Sequence, residues 1–187
     1  MQTPIELLTD RLLLRTLDEA FAERVLAYQL RNRAFLQEWT PITGDEFYTL
    51  PAQAERLARD EELRRKGLVV RLYLFKRADA ELSTVIGDLA LSNVVRGAFQ
   101  SCHLGYKVDG AELNQGYITE AIRRAVAYAF GELKLHRVEA NVMPKNLRSR
   151  RVLQKLGFAE EGLARQYLKI NGAWEDHIHY VVLNDAV

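Results

Sequence analysis

A chain of 187 residues, 48% hydrophobic and 27% charged, is long enough to bury a core without disulfide or metal staples and lies far from the composition of disordered segments. Its 26 basic and 25 acidic side chains leave a net charge of +1, so no global field attracts nucleic acid. A single cysteine, Cys102, excludes an internal disulfide and supplies no cysteine pair for zinc. The opening MQTPIELLTDRLLLRTL lacks signal-peptide order, and no run of about 18 apolar residues occurs; a cytoplasmic protein of one domain, 1–187, is expected, with no metal, membrane or direct nucleic-acid partner.

Along the chain, ELLTDRLLLRTL reads as a first strand. From Asp18, Phe21, Val25 and Tyr28 share a helical face, and this helix is expected to end near Asn32. Residues 35–47, FLQEWTPITGDEF, carry Pro41 and Gly44 and read as loop. PAQAERLARDEELRRKG opens with a proline suited to a first helical turn and closes on Gly67. LVVRLYLF, TVIGDLALSNVV and SCHLGYKV are three strands of an antiparallel meander. Ile122, Val126, Phe130 and Leu133 then mark an amphipathic helix over 119–133. HRVEANV is a strand, RSRRVLQKLG a short helix stopped by Gly157, and LARQYLKI-NG-AWEDHIHYVVL a hairpin turned at Asn171-Gly172. This order implies an α/β (α+β) fold: a mixed sheet with helices on both faces.

Two segments carry chemistry. YKV, a short loop, NQGYIT and a helix form a strand-loop-helix unit whose unpaired N–H groups and dipole end suit a phosphate, with Gly116 allowing close approach. The plain alternative is a turn before a helix capped by Thr119, with Glu120 behind it. In MPKNLRSRRVLQKLGF, Asn146 can cap the short helix or bond an amide-bearing ligand, and the Ser149 hydroxyl can serve a leaving group.

LGYKVDGAELNQGYITEAIRRAVAYAF followed by HRVEANVMPKNLRSRRVLQKLGFAEEG resembles the acetyl-CoA-binding core of the GNAT superfamily of N-acetyltransferases. LLTDRLLLRTL and GAWEDHIHYVVL are similar to its RimJ/RimL branch, the ribosomal-protein N-terminal acetyltransferases. The resemblance runs from about Leu7 to Leu183 and implies the GNAT fold, a mostly antiparallel twisted sheet of about seven strands. It also implies acetyl-CoA as co-substrate, its pyrophosphate on the N–H groups of Gln115, Gly116, Tyr117, Ile118 and Thr119, with Asn114 as a further cofactor-binding residue, and its pantetheine beside Tyr106, Lys107 and Val108. Asn141 and Asn146 would contact that arm, and Lys145, Arg148, Arg150 and Lys155 offer charge to the 3′-phosphate. One departure stands out. The superfamily loop usually begins with Gln or Arg and ends with Gly or Ala, where this chain has Leu113 and Ile118.

By the same resemblance, a primary amine attacks the thioester directly, an N–H near Tyr106 meets the oxyanion and Ser149 serves the thiolate. Glu38, Trp39 and Asp176 are expected on the acceptor side, with Phe35, Phe47 and Tyr48 as a wall. Glu161, Asp176, Glu38 and His177 are alternatives for a base. Strand parity sets Asp176 and Tyr180 opposite His177 and His179. A peptide α-amine has a pKa near 8 and a lysine one near 10.4, which favours an N-terminal acceptor such as that of a ribosomal protein. A small-molecule amine, or acetyl-CoA binding without catalysis, remains an open alternative, and exposed strand edges leave room for a homodimer.

Overall fold

The computed structural model describes residues 3–185. Eight strands form one sheet in the order β1-β2-β3-β4-β5-β6-β8-β7. The strands are β1 (Glu6–Leu8), β2 (Leu12–Arg15), β3 (Val70–Lys76), β4 (Gly87–Val95), β5 (Ser101–Val108), β6 (Arg137–Val142), β7 (Ala159–Ile170) and β8 (Ala173–Leu183); the helices are α1 (Ala22–Leu36), α2 (Leu50–Arg65), α3 (Tyr117–Gly131) and α4 (Leu147–Lys155). All pairings are antiparallel except β5 with β6. The expected mixed, mostly antiparallel sheet with helices on both faces is the one observed.

Three boundaries differ from expectation, each for a local reason. The first strand is two: Thr9 and Asp10, residues that favour turns, fold it back, with Leu12 N–H donating to Thr9 Oγ1 at 2.9 Å, and β1 pairs with β2. The helix α1 does not stop at Asn32. Buried Asn32 donates to the Tyr28 carbonyl at 3.0 Å and accepts from Gly110 N–H at 2.9 Å, so its amide clamps α1 to the loop after β5. The third helix starts at Tyr117 from Gly116, whose φ is +78°; Thr119 lies within its first turn and is not the cap.

The sheet separates two cores. Leu72, Leu74, Leu89, Leu91, Cys102, Leu104, Val138 and Ala140 face α3 and α4, where Ala121, Ile122, Ala125 and Ala129 are buried; three small residues let α3 lie close to the sheet. Each fully buried leucine contributes about 2 kcal/mol relative to exposure. On the other face Val25, Tyr28 and Leu57 of α1 and α2 pack on Tyr73 and Phe75. Strand alternation sends odd and even residues of β3 into different cores. No helix among the described residues is long and apolar enough to cross a membrane.

Candidate active site

The parallel strands β5 and β6 pair only at Ser101 with Arg137, Cys102 with Val138 and His103 with Glu139. Beyond that point they splay. Asp109 N–H donates to the Ile86 carbonyl, so by alternation the backbone groups of residues 105 and 107 also turn toward β4, and those of Leu104, Tyr106 and Val108 turn into the splay. An open strand edge in mid-sheet leaves peptide groups that require a partner.

At the mouth of the splay lies the loop joining β5 to α3. Asp109 caps a short 3-10 turn at Gly110–Glu112, after which Asn114 (φ +61°) and Gly116 (φ +78°) turn the chain into α3. The carbonyl of Gly116 is the first to accept within α3, from Glu120 N–H at 3.1 Å; the N–H groups that open the helix have no intrahelical acceptor. The N–H groups of Tyr117, Ile118 and Thr119 therefore stand at the helix start directly after two residues of positive φ, the kind of turn in which backbone donors converge.

Arg11, in the β1–β2 turn, was outside the sequence expectation. Its Nη1 donates to the Gln115 carbonyl at 2.9 Å, and its backbone N–H and Nε donate to Glu120 at 2.9 and 2.7 Å. The guanidinium lies 4.7 Å from the Tyr117 ring centroid, and its Nη2 is 3.4 Å from where a Cβ on Gly116 would stand. A cation from a turn more than a hundred residues away thus braces the loop, and no local motif signals it. Where the family loop has Gln or Arg, Leu113 contributes only extended backbone.

Inside the cleft, Tyr106 and Ser149 meet. Their hydroxyls share a hydrogen bond of 2.5 Å. Burial pushes the Tyr106 phenol well above its ordinary pKa, more than the Ser149 contact lowers it, so at neutral pH it keeps its proton. It can donate to Ser149 Oγ, freeing the serine hydrogen for a group in the cleft. Asn146 Oδ1 caps α4, accepting from Ser149 N–H at 3.1 Å, which makes capping its observed use. Asn141 Oδ1 is buried and has no hydrogen-bond partner. Of the four basic candidates, Lys145 pairs with Glu175 at 2.7 Å and Arg150 donates to Tyr180 Oη at 3.1 Å, leaving exposed Arg148 and Lys155 without an ion pair among the described residues.

On the opposite face, Lys107 projects toward Asp88, 3.8 Å away, with 26% of its side chain exposed. Asp88 raises its pKa, but burial and the nearby Arg56 and Arg71 outweigh that and bring it below the ordinary lysine value. The 3-10 turn at Gln37–Trp39 reaches the hairpin tip: Asn171 N–H donates to the Thr40 carbonyl at 2.9 Å and Gln37 Nε2 to Asn171 Oδ1 at 3.1 Å. Glu38 is exposed and Trp39 half-buried beside that contact. Asp176 accepts from Gln166 N–H at 2.8 Å, bracing a bulge of β7. Of the aromatic wall, Phe47 and Tyr48 pack edge to face, and Phe35 fills the space beside Gly110. Glu161, one candidate base, is held by Arg137.

A family model described as an acetyltransferase (GNAT) domain matches residues 11–159. The chain belongs to the GNAT acetyltransferase family. This GNAT chain is 44% identical over 170 residues to the probable N-acetyltransferase YjcK of Bacillus subtilis, covering 91% of this chain and 92% of that one. It is 38% identical over 175 residues to the ribosomal protein uS5-alanine N-acetyltransferase of Escherichia coli, covering 93% and 88%. Among solved structures, Mycobacterium smegmatis RimJ in complex with CoA-disulfide superposes with a TM-score of 0.89 at 27% identity, covering 100% of this chain and 89% of that one. The GNAT fold and the RimJ/RimL-type resemblance are thereby established.

Proposed function

We propose that this GNAT acetyltransferase moves the acetyl group of acetyl-CoA to the α-amine of a protein N-terminus, a ribosomal protein being the acceptor class, and that it acts in the cytoplasm as a single domain. The observation that carries the reading is the Tyr106–Ser149 hydroxyl pair at the open edge of β5. A relative of 38% identity acts on the alanine of ribosomal protein uS5, and a close structural neighbour holds a CoA disulfide.

The residues fit such a co-substrate. The donor-rich turn from Asn114 to Thr119 suits a pyrophosphate, because aligned N–H groups at a helix start stabilise anions. The free edge at Leu104, Tyr106 and Val108 suits the amides of pantetheine, whereas Asn141, with its orphaned Oδ1, lies on the other face of the sheet, since Ala140 and Val142 belong to the core under α3 and α4. Arg148 and Lys155 are the remaining cations for a 3′-phosphate. With the thioester alongside β5, the N–H of Tyr106 donates to its carbonyl oxygen, and Ser149, backed by Tyr106, gives the departing sulfur a proton.

The acceptor arrives from the opposite face, past the Gln37–Trp39 turn and the β7–β8 hairpin. At pH 7 an α-amine is neutral about 300-fold more often than a lysine side chain, so an N-terminus needs less help to become a nucleophile. Calorimetry with acetyl-CoA, followed by thiol release on panels of peptides and small amines, tests the proposal. Saturable binding with fastest turnover on peptide N-termini is expected; binding without turnover on any amine contradicts it.

A further inference from the structure

On the sheet face turned away from α3 and α4, one row of residues crosses the splay. Ala90 pairs with Gly105, Asn141 with His179, and His179 with Gly162 of β7. Carrying the β5–β6 register two residues past His103 and Glu139 brings Gly105 level with Asn141 across the gap. Leu104, Tyr106, Ala140 and Val142 belong to the core under α3 and α4, so Gly105 and Asn141 face the other way. A Cβ on Gly105 or Gly162 would meet nothing within 4 Å. Open floor therefore flanks two side chains that carry buried polar atoms without partners, Asn141 Oδ1 and His179 Nε2. Adjacent orphans of this kind require an explanation, and an amine, rich in N–H donors, answers both.

The other ionisable groups on this face are committed. Glu161 is held by both Arg137 Nη atoms, and that contact lowers its pKa more than its slight burial raises it, which makes it a poor base. Glu139 accepts from Arg137 Nε at 3.0 Å and lies 3.9 Å from His103, whose other nitrogen meets Asn93. His177 Nδ1 lies 3.0 Å from the Glu175 carbonyl, and Lys107 faces Asp88. The Tyr167 ring, where the β7 register breaks, stands edge-on 4.9 Å from the His179 ring.

Building on the acetyl transfer proposed above, we propose that His179 is the proton acceptor of the reaction, with Asn141 Oδ1 orienting the amine and Tyr167 as the cover the incoming chain displaces. An N–H bond of the ammonium breaks and its proton passes to His179 Nε2. The freed lone pair forms the C–N bond as the C–S bond breaks. The sulfur takes the hydroxyl proton of the Tyr106–Ser149 pair, which the second proton shed by the nitrogen replaces. The sum is ammonium plus thioester giving amide, thiol and one proton, which His179 returns to solvent. A neutral imidazole nitrogen accepts a proton and releases it again, as this role needs.

The test is kcat against pH for the wild type and His179→Gln with an N-terminal-alanine peptide, beside acetyl-CoA affinity by calorimetry. The variant should lose about 100-fold or more in kcat at pH 7, with acetyl-CoA affinity unchanged and the deficit shrinking above about pH 9, where an α-amine is neutral unaided. A variant profile parallel to the wild type overturns the role. If that variant does not fold, His179→Asn takes its place in the same two measurements, and a profile parallel to the wild type again overturns the role. Gly105→Leu, filling the row, should abolish peptide turnover and spare acetyl-CoA binding; normal turnover sinks the acceptor row. A wild type that acetylates no amine overturns this inference together with the function it rests on, whereas normal transfer with parallel profiles overturns the inference alone.

Discussion

The two faces of the sheet at the splay are built differently. Toward α3 and α4 the cleft is apolar, its polar pair, Tyr106 and Ser149, satisfied by mutual hydrogen bonding. Toward α1 and α2 the surface carries buried Asp88, partly buried Arg71 and Lys107, and orphaned Asn141 and His179. The difference teaches a division of labour. On the proposed function, a face that holds the co-substrate can be packed to completion, whereas a face that receives the amine keeps polar groups for the guest to satisfy.

Substitutions can break this contrast in order of size. Gly116→Asp should abolish acetyl-CoA binding, because it adds a carboxylate at the helix start and forces a Cβ onto φ +78°; calorimetry showing intact affinity would move the phosphate turn elsewhere. Ser149→Ala should lower kcat about 10- to 100-fold with acetyl-CoA affinity little changed, and an unaltered kcat removes the serine from thiolate protonation. Arg11→Ala, unfastening Gln115 and Glu120, should weaken acetyl-CoA about tenfold (~1.4 kcal/mol) without changing the peptide KM. Its effect on stability should be small, since the Arg11 side chain is 48% exposed and such pairs contribute at most about 1 kcal/mol.

The smallest expected effect concerns acid. Burial raises the pKa of Asp88, but Lys107, Arg71 and Arg56 outweigh that and hold it below the ordinary carboxylate value. A depressed acid contributes stability above its unfolded pKa, near 3.9, and loses it as pH falls through the folded value. Thermal unfolding should therefore show a loss below about pH 4 that Asp88→Asn lacks, the variant being less stable near neutrality; identical acid profiles would detach Asp88 from the polar face.

Much of this was legible in the residues. The meander, the amphipathic α3, the Asn171-Gly172 hairpin and the run from Asn114 to Thr119 follow from periodicity and turn chemistry, and NxxS followed by LGF marked Ser149. The split of the first strand was not read, because its apolar residues alternate straight through a turn that Thr9 and Asp10 impose. The first helix was expected to end near Asn32, whereas the Asn32 amide is spent on Tyr28 and Gly110 and the helix runs on to Leu36. Arg11 and the Asn141–His179 pair were invisible for a different reason: Arg11 meets a loop and a helix start more than a hundred residues away, and Asn141 and His179 are brought level by strand register. Asp176, expected to face the acceptor, has one oxygen bracing the Gln166 bulge.

The most direct measurement is mass spectrometry, with fragmentation to locate the modification, of a peptide carrying both an N-terminal alanine and an internal lysine after incubation with the protein and acetyl-CoA. The account predicts one acetyl group, on the alanine α-amine, formed far more slowly by Ser149→Ala. Acetylation of the lysine alone, or an unmodified peptide in the presence of bound acetyl-CoA, would contradict it.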